Sequence, residues 1–472
     1  MNYGLLTPID ILTVASLLVM AGDLFLPKNQ KLSLAAFAAF AVAVTLGAVF
    51  KQFTNGQQGS IFSYSVTHFN LYFQILFLLG TLLTIGASIY FLQQGRESGE
   101  YLSLLLLATL GAMLLVSSDN LLTIYVSLEL LSISSYALVA FRRDARSGEG
   151  ALKYFLLGGM SSAVFLYGTS LLYGLSGSLD IRVINVHYSV VGSSHLLFLA
   201  AMFLLVVAFG FKVAMVPFHM WAPDTYEGAP TPVSGYLSAV SKAAAFAVLL
   251  RLLLAAFPAA QPWWQEAFAI FSVATMTLGN LAALRQNNLK RMLAYSSIAQ
   301  AGYVLIALAV PTTATLSASL FYLMAYTFMN VGAFAVLAYT GAVTSKEDVE
   351  SVAGLGISLP WAGLSLAIFL LSLGGLPFTA GLMGKFFLFY GAVAGGSVWL
   401  AAVALGNSVL SFFYYFRVIR YIYWVPSKEA YQWPSVWPWG LTVGVAALVT
   451  VFLGIYPAPL LDLARISLPA IL

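Results

Sequence analysis

Apolar residues fill this chain in long, nearly unbroken runs separated by short polar stretches. A helix that crosses a bilayer needs about 20 mainly apolar residues. Fourteen runs qualify, at roughly 9–26, 32–50, 69–93, 101–117, 120–141, 151–175, 195–222, 232–256, 264–285, 289–310, 313–340, 361–391, 398–421 and 436–457. The longest connections are 51–68 and 176–194, which leaves no room for a soluble domain. The pattern predicts an all-α polytopic membrane protein, one integral membrane domain over 1–472.

Composition agrees. The chain is 61% hydrophobic and 8% charged, with mean hydropathy +0.91, whereas soluble domains carry about 25% charged residues. A soluble enzyme, a nucleic-acid binder and a disordered tail are excluded. The isoelectric point near 9.0 is read as a topology signal. Met1 to Ile9 lacks the basic start of a signal peptide, so the first run is expected to be a retained helix.

Two runs are long and contain proline, which removes a helical hydrogen bond and clashes with the preceding turn. The seventh carries Pro217, with Pro223 at its end; the twelfth carries Pro377 after Gly374 and Gly375. Both breaks share a local pattern, Val216-Pro217-Phe218 and Leu376-Pro377-Phe378. Interrupted helices at matching places in two halves point to an ion path. The breaks lie five helices apart, and an odd number of helices per unit turns the second unit over. Inverted five-helix repeats are therefore expected, helices 4–8 (101–256) and 9–13 (264–421).

Lysine and arginine orient the chain. Connections after odd-numbered helices hold Lys28, Lys31, Arg96, Arg142, Arg143, Arg146, Lys153, Arg285, Lys290, Arg291, Lys346, Arg417, Arg420 and Lys428; the other side holds Lys51, Arg182, Arg251 and Arg465. This fourteen-to-four split predicts both termini on the non-cytoplasmic side. Three of the 21 basic residues remain: Lys212, Lys242 and Lys385, each inside a predicted helix. Among the acids, Glu129 falls at the centre of helix 5.

A charge at the bilayer centre costs at least about 2.5–3.5 kcal/mol, so such residues face a partner or a watery cavity. Three lysines share one glutamate, and at least two lack an intramembrane carboxylate. Burial without a counter-charge is how an amine comes to accept and release protons near neutral pH, and lysine does so where arginine stays charged. Proton handling by Glu129, Lys212, Lys242 and Lys385 is the reading this favours. The plainer alternative is that Glu129 and Lys212 neutralise each other and fix packing. His219 is either a proton relay or a cap on the broken helix. Asp224 and Glu227, beyond the break, read as loop anchors more than proton-uptake groups.

Other chemistry is absent from the sequence. Without cysteine there is no disulfide, thiolate zinc site or cysteine-ligated cluster. His68, His187, His195 and His219 show no metal-ligand spacing on one helix. Neither phosphate-binding glycine motif is present. No metal site and no cofactor site are expected on this chain.

The runs Phe211-Lys212-Val213-Ala214-Met215-Val216-Pro217-Phe218-His219-Met220-Trp221-Ala222-Pro223-Asp224 and Tyr226-Glu227-Gly228-Ala229-Pro230-Thr231-Pro232-Val233 resemble the antiporter-like membrane subunits of respiratory complex I, NADH–quinone oxidoreductase, in their subunit N form. So do Leu128-Glu129-Leu130-Leu131-Ser132-Ile133-Ser134-Ser135-Tyr136 in helix 5, Leu152-Lys153-Tyr154-Phe155, Asn288-Leu289-Lys290-Arg291-Met292-Leu293-Ala294-Tyr295-Ser296-Ser297, and Leu376-Pro377-Phe378-Thr379-Ala380-Gly381 with Gly384-Lys385-Phe386.

The resemblance covers helices 4 to 13 and implies fourteen helices with inverted repeats. It implies that Glu129 and Lys212 are the ion pair of a first half-channel, Lys242 the central connecting lysine, and Lys385 the terminal lysine of a second half-channel. It implies a proton-translocating subunit of a bacterial plasma-membrane complex, beside other membrane subunits that include antiporter-like neighbours. Quinone, NADH, FMN and iron–sulfur clusters are implied on other subunits. The largest family member has a long lateral helix after its core; this chain, reaching Leu472 soon after helix 14, is expected to be a shorter member. Alternatives are a subunit of a multisubunit Na⁺/H⁺ antiporter or membrane-bound hydrogenase, and a non-pumping membrane scaffold.

Overall fold

Backbone polar groups have no water to bond inside a bilayer, so long apolar runs fold as helices that satisfy themselves. The computed structural model describes residues 3–26, 32–94, 98–191, 196–426, 431 and 437–468. Lys28, Lys31, Arg96, His195 and Lys428 lie outside the described residues.

The fourteen predicted spans appear as α1 (Thr7–Phe25), α2 (Leu32–Thr54), α3 (His68–Ala87), α4 (Ser98–Ser117), α5 (Leu121–Val139), α6 (Ala145–Ser176), α7 (Leu196–Val213, then Trp221–Gly228), α8 (Thr231–Ala256), α9 (Gln261–Leu284), α10 (Leu289–Ala309), α11 (Thr313–Thr344), α12 (Pro360–Gly374, then Ala380–Ala394), α13 (Val398–Trp424) and α14 (Trp437–Ile455). Among the described residues, 13 helices are long and apolar enough to cross a membrane unaided. The two 15-residue pieces of α12 make up the remaining span.

Both proline-containing runs are broken where expected. The first part of α7 ends at Val213, where Ala214 takes φ +59°, and the Val216–Pro217 peptide is cis. The first part of α12 ends at Gly374, where Gly375 takes φ +96°. The two stops share their bonding. Ala214 N donates to Phe211 O and Met215 N to Gly210 O; Gly375 N donates to Ser372 O and Leu376 N to Leu371 O.

The connections hold more structure than the hydropathy implies. Within 51–68, Gly59–Ile61 and Tyr64–Val66 form an antiparallel hairpin. Within 176–194, Ile181–Val191 is a helix too short to span, with Ile181, Ile184 and Tyr188 buried along one face. A further short helix, Ala458–Ser467, follows α14. The sixth span begins at Ala145, six residues before the apolar run, because Asp144 and Ser147 form a capping box over a polar first turn.

The local structures around α4 to α6 recur 168 residues later, without a gap, around α9 to α11. Asn120 caps α5 and bridges to Asp180; Asn288 caps α10 and bridges to Asp348. The 32-residue α6 has its capping box at Asp144 and a left-handed residue at Gly177. The 32-residue α11 has its own at Thr312 and Ser345. A Cβ on Gly111 would lie 2.6 Å from Leu131 N, and one on Gly279 2.6 Å from Ala299 N, so in both places glycine lets two helices touch backbone to backbone. Arg251 donates to the carbonyls of Val116 and Ser118, and Arg417 to those of Leu284 and Gln286. Arg251 also pairs with Asp119, whose counterpart is the neutral Asn287.

The helices differ in what surrounds them. The apolar stretches of α8, α10 and α11 are almost wholly enclosed by protein, whereas α6 leaves Leu152, Phe155, Leu156, Met160 and Tyr167 exposed along one side. The enclosed helices carry the polar side chains described next.

Candidate functional site

Lys212, Lys242 and Lys385 are all enclosed, each with no more than 3% of its surface exposed. Lys212 lies in the last turn of the first part of α7. Its Nζ donates to Ser132 Oγ at 2.9 Å and to Tyr154 OH at 2.9 Å. Glu129 stands one turn before Ser132 on α5 and is half-buried, accepting a hydrogen bond from Ser162 of α6. The carboxylate and the ammonium do not close a direct ion pair; each is held by a hydroxyl instead.

Lys242 lies in α8, directly after the π-helical turn Leu237–Ser241. An extra residue in a helical turn frees a carbonyl and re-aims side chains, which is why such turns mark functional positions. Lys242 Nζ donates to Ser297 O at 3.0 Å and Ser297 Oγ at 2.8 Å. It borders a cavity of about 10 Å³ lined also by Ser297, Gln300, Tyr322 and Tyr326, about the smallest space that admits one water. Buried polar atoms without a hydrogen-bond partner gather nearby: Ser241 Oγ, Tyr226 OH and Tyr326 OH.

Lys385 follows the break in α12. Its Nζ donates to Leu373 O at 2.7 Å, Gly374 O at 3.1 Å and Ser408 Oγ at 3.1 Å, and it faces the ring of Tyr303 at 4.7 Å. The break thus frees the carbonyls that hold this lysine. Gln300 Nε2 donates to the same Leu373 carbonyl at 3.0 Å.

Aromatic rings link the first two lysines. The Lys212 amine is 5.2 Å from the Tyr154 ring centroid; Tyr154 stacks on Trp221 at 4.3 Å; Trp221 meets Tyr226 at 6.0 Å; Tyr226 lies 5.9 Å from the Lys242 amine. Trp221 is fixed by donating its indole N–H to Phe211 O at 2.8 Å. His219 lies in the α7 break, half-buried, with Nδ1 lacking a hydrogen-bond partner, and bonds to none of the three lysines.

At one rim the arrangement is the opposite. Lys153 and Arg291 bond Asp224 at 2.7 and 2.5 Å, and Arg291 bonds Glu227 at 3.0 Å. The buried Lys290 reaches Glu347 at 3.0 Å, as does Arg142 at 3.1 Å. Asp224 and Glu227 are therefore tied into an ion-pair network. The three mid-helix lysines meet only neutral hydroxyls, carbonyls and rings. Among the described residues, no group of three or more acids and histidines is placed to hold a metal ion.

The charged members of this constellation stand out in the sequence; Ser132, Tyr154, Ser297, Gln300, Tyr322 and Ser408 do not. The available signal is internal: shifting the chain by 168 residues sets Ser132 over Gln300, Glu129 over Ser297 and Tyr154 over Tyr322.

The family described as NADH:quinone oxidoreductase/Mrp antiporter, transmembrane, matches residues 118–411, which contain both breaks and all three lysines. NADH-quinone oxidoreductase subunit N of Trichlorobacter lovleyi is 42% identical, covering 98% of this chain and 96% of the relative. The chain belongs to the subunit N family of NADH–quinone oxidoreductase. This family is one of antiporter-like membrane subunits. The chain is also similar to the F(420)H(2) dehydrogenase subunit N of Methanosarcina mazei, 36% identical over 97% of both chains. A chain in the structure of respiratory complex I from Thermus thermophilus with bound aureothin superposes with TM-score 0.83 at 35% identity, covering 97% of this chain and 99% of that one. As a subunit N the chain is an integral multi-pass membrane component of such a complex, with other subunits beside it.

Proposed function

We propose that this subunit carries protons across the membrane through two half-channels joined at mid-membrane. The first holds Glu129 and Lys212, Lys242 makes the connection, and Lys385 ends the second. The observation that carries this is the contrast between the rim, where cations meet acids, and the interior, where three enclosed lysines meet none. A purely structural lysine gains by pairing with a carboxylate; one that loads and unloads a proton must be tolerated in both states. Hydroxyls serve both, since they accept from an ammonium and donate to an amine.

In this reading the units 101–256 and 264–421 form the two half-channels and cross the bilayer in opposite senses, with both termini on the non-cytoplasmic side. The 168-residue recurrence of helix caps, and of the carbonyls that Arg251 and Arg417 hold, supports the duplication. Redox energy reaches the chain through neighbouring membrane subunits as a change in local electrostatics. NADH, FMN, iron–sulfur clusters and quinone belong to other subunits. The relative named for F(420)H(2) supports leaving the electron donor to those subunits.

Lys385→Ala and Glu129→Ala complexes, measured for protons moved per quinone reduced, test this. Assembled complexes with lowered stoichiometry are expected. Normal pumping in both would overturn the reading, and loss of assembly without loss of coupling would mark a scaffold.

A further inference from the structure

In the first half, Ser132 and Tyr154 hold the Lys212 ammonium. The residues 168 positions on are Gln300 and Tyr322. These two also meet: Tyr322 OH donates to Gln300 Oε1. The matching helix stops at Val213 and Gly374 set Leu373 in the place of Lys212. The second half therefore has an apolar side chain where the first has its lysine. The N–H group beside the tyrosine comes from the opposite direction, from the Gln300 amide, which reaches the Leu373 carbonyl at 3.0 Å and Tyr415 OH at 3.3 Å.

Gln300 touches two places. Its side chain borders the small cavity with Lys242 and Ser297. It also shares the Leu373 carbonyl with Lys385, which donates there at 2.7 Å. An amide offers donors and acceptors together and keeps its charge state near neutral pH. A carbonyl has two lone pairs, so Leu373 O stays bonded to Gln300 when Lys385 turns away, and the penalty for a buried unsatisfied acceptor is avoided.

We propose that Gln300 is the positioning residue that couples Lys242 to Lys385, holding the Leu373 carbonyl so that Lys385 can exchange partners beside the Lys242 cavity. The inference rests on the proton-carrying reading above. Gln300→Leu removes both functions of the amide. Gln300→Glu keeps its shape and its acceptor for Tyr322 but loses the N–H to Leu373.

The test measures quinone reduction and protons moved per quinone in membrane vesicles containing the whole complex. Lys385→Ala and the double variant Gln300→Leu/Lys385→Ala are run alongside. Both Gln300 variants are expected to assemble and to lose pumping to the level of Lys385→Ala, with the double variant no lower than either single one. Normal pumping in an assembled Gln300 variant while Lys385→Ala is impaired overturns the inference alone. A double variant well below both singles overturns it too, because independent roles add. If neither Gln300 variant assembles, Gln300 is a packing residue and the inference falls. Normal pumping in Lys385→Ala instead overturns the proton-carrying reading itself.

Discussion

Tyr154 stacks its ring on Trp221 and accepts a hydrogen bond from Lys212 at its hydroxyl: the rings lie 4.3 Å apart with planes 7° apart, and the phenol oxygen is 2.9 Å from the amine. The stack fixes the phenol, and the phenol fixes the lysine. Tyr154→Phe keeps the stack and removes the hydrogen bond. A hydrogen bond to a charged group contributes about 1.5–3 kcal/mol, so proton transfer through Lys212 should slow by about tenfold or more. Stopped-flow acidification of vesicles is the measurement, with complex assembly expected to stay normal. Unchanged kinetics would show that Ser132 alone is sufficient.

Lys242 separates charge from titration. Its amine bonds Ser297 twice inside an enclosed site. Lys242→Arg keeps a positive charge but cannot release a proton under physiological conditions. If titration matters, Lys242→Arg abolishes pumping as completely as Lys242→Met. Pumping by the arginine variant would assign Lys242 a fixed electrostatic role.

Asp224, at the rim beyond the α7 break, offers a control away from the three enclosed lysines. Burial by itself would raise the pKa of its carboxyl; Lys153 and Arg291 more than offset this and hold it below the ordinary 3.8. A carboxyl whose pKa is lowered on folding stabilises the fold above its unfolded value and loses that contribution as pH falls through the folded one. The rim network should therefore hold at neutral pH and fail only in acid below about 4. Asp224→Asn removes partly exposed pairs of about 0.2–1 kcal/mol each. A small loss of thermal stability in detergent is expected, with protons per quinone unchanged. A fall in stoichiometry would place Asp224 on the proton route.

Gly111 and Gly279 make a matched pair of packing tests. Valine at either site meets backbone rather than a side chain that can yield, and overpacking costs about 1–3 kcal/mol. Gly111→Val and Gly279→Val should lower the amount of assembled complex to similar extents. A large difference between them, seen on native gels, would show that the two contacts are not equivalent.

The spans were legible because a bilayer asks for length and apolarity, which a sequence states openly. Pro217 and Pro377 marked both interruptions for the same reason: the missing N–H is a property of the residue. The hairpin at Gly59–Val66 and the helix Ile181–Val191 were hidden, because segments this short depend on what they pack against. The early start of α6 was hidden behind a polar first turn that Asp144 caps. In the site, Lys212, Lys242, Lys385 and Glu129 stood out because charge is scarce at depth. Their neutral partners did not, since serine, tyrosine and glutamine are ordinary in membrane helices. Leu373 contributes through its carbonyl, which no side-chain pattern can reveal.

The 168-residue register has a consequence for how such a chain enters the bilayer. Helix caps and glycine contacts work equally well whichever way up they are inserted, and these are what the two copies share. Basic residues do not, because they stay on the side from which the chain is threaded. Arg142, Arg143 and Arg146 of the first copy answer to Val310, Pro311 and Ala314 in the second, and Arg285, Lys290 and Arg291 of the second answer to Ser117, Leu122 and Thr123 in the first. At these six positions each unit has a basic residue where the other has none. If the second unit crosses the bilayer inverted, as proposed above, a handful of arginines and lysines is enough to set its orientation without altering the caps and glycine contacts inside it.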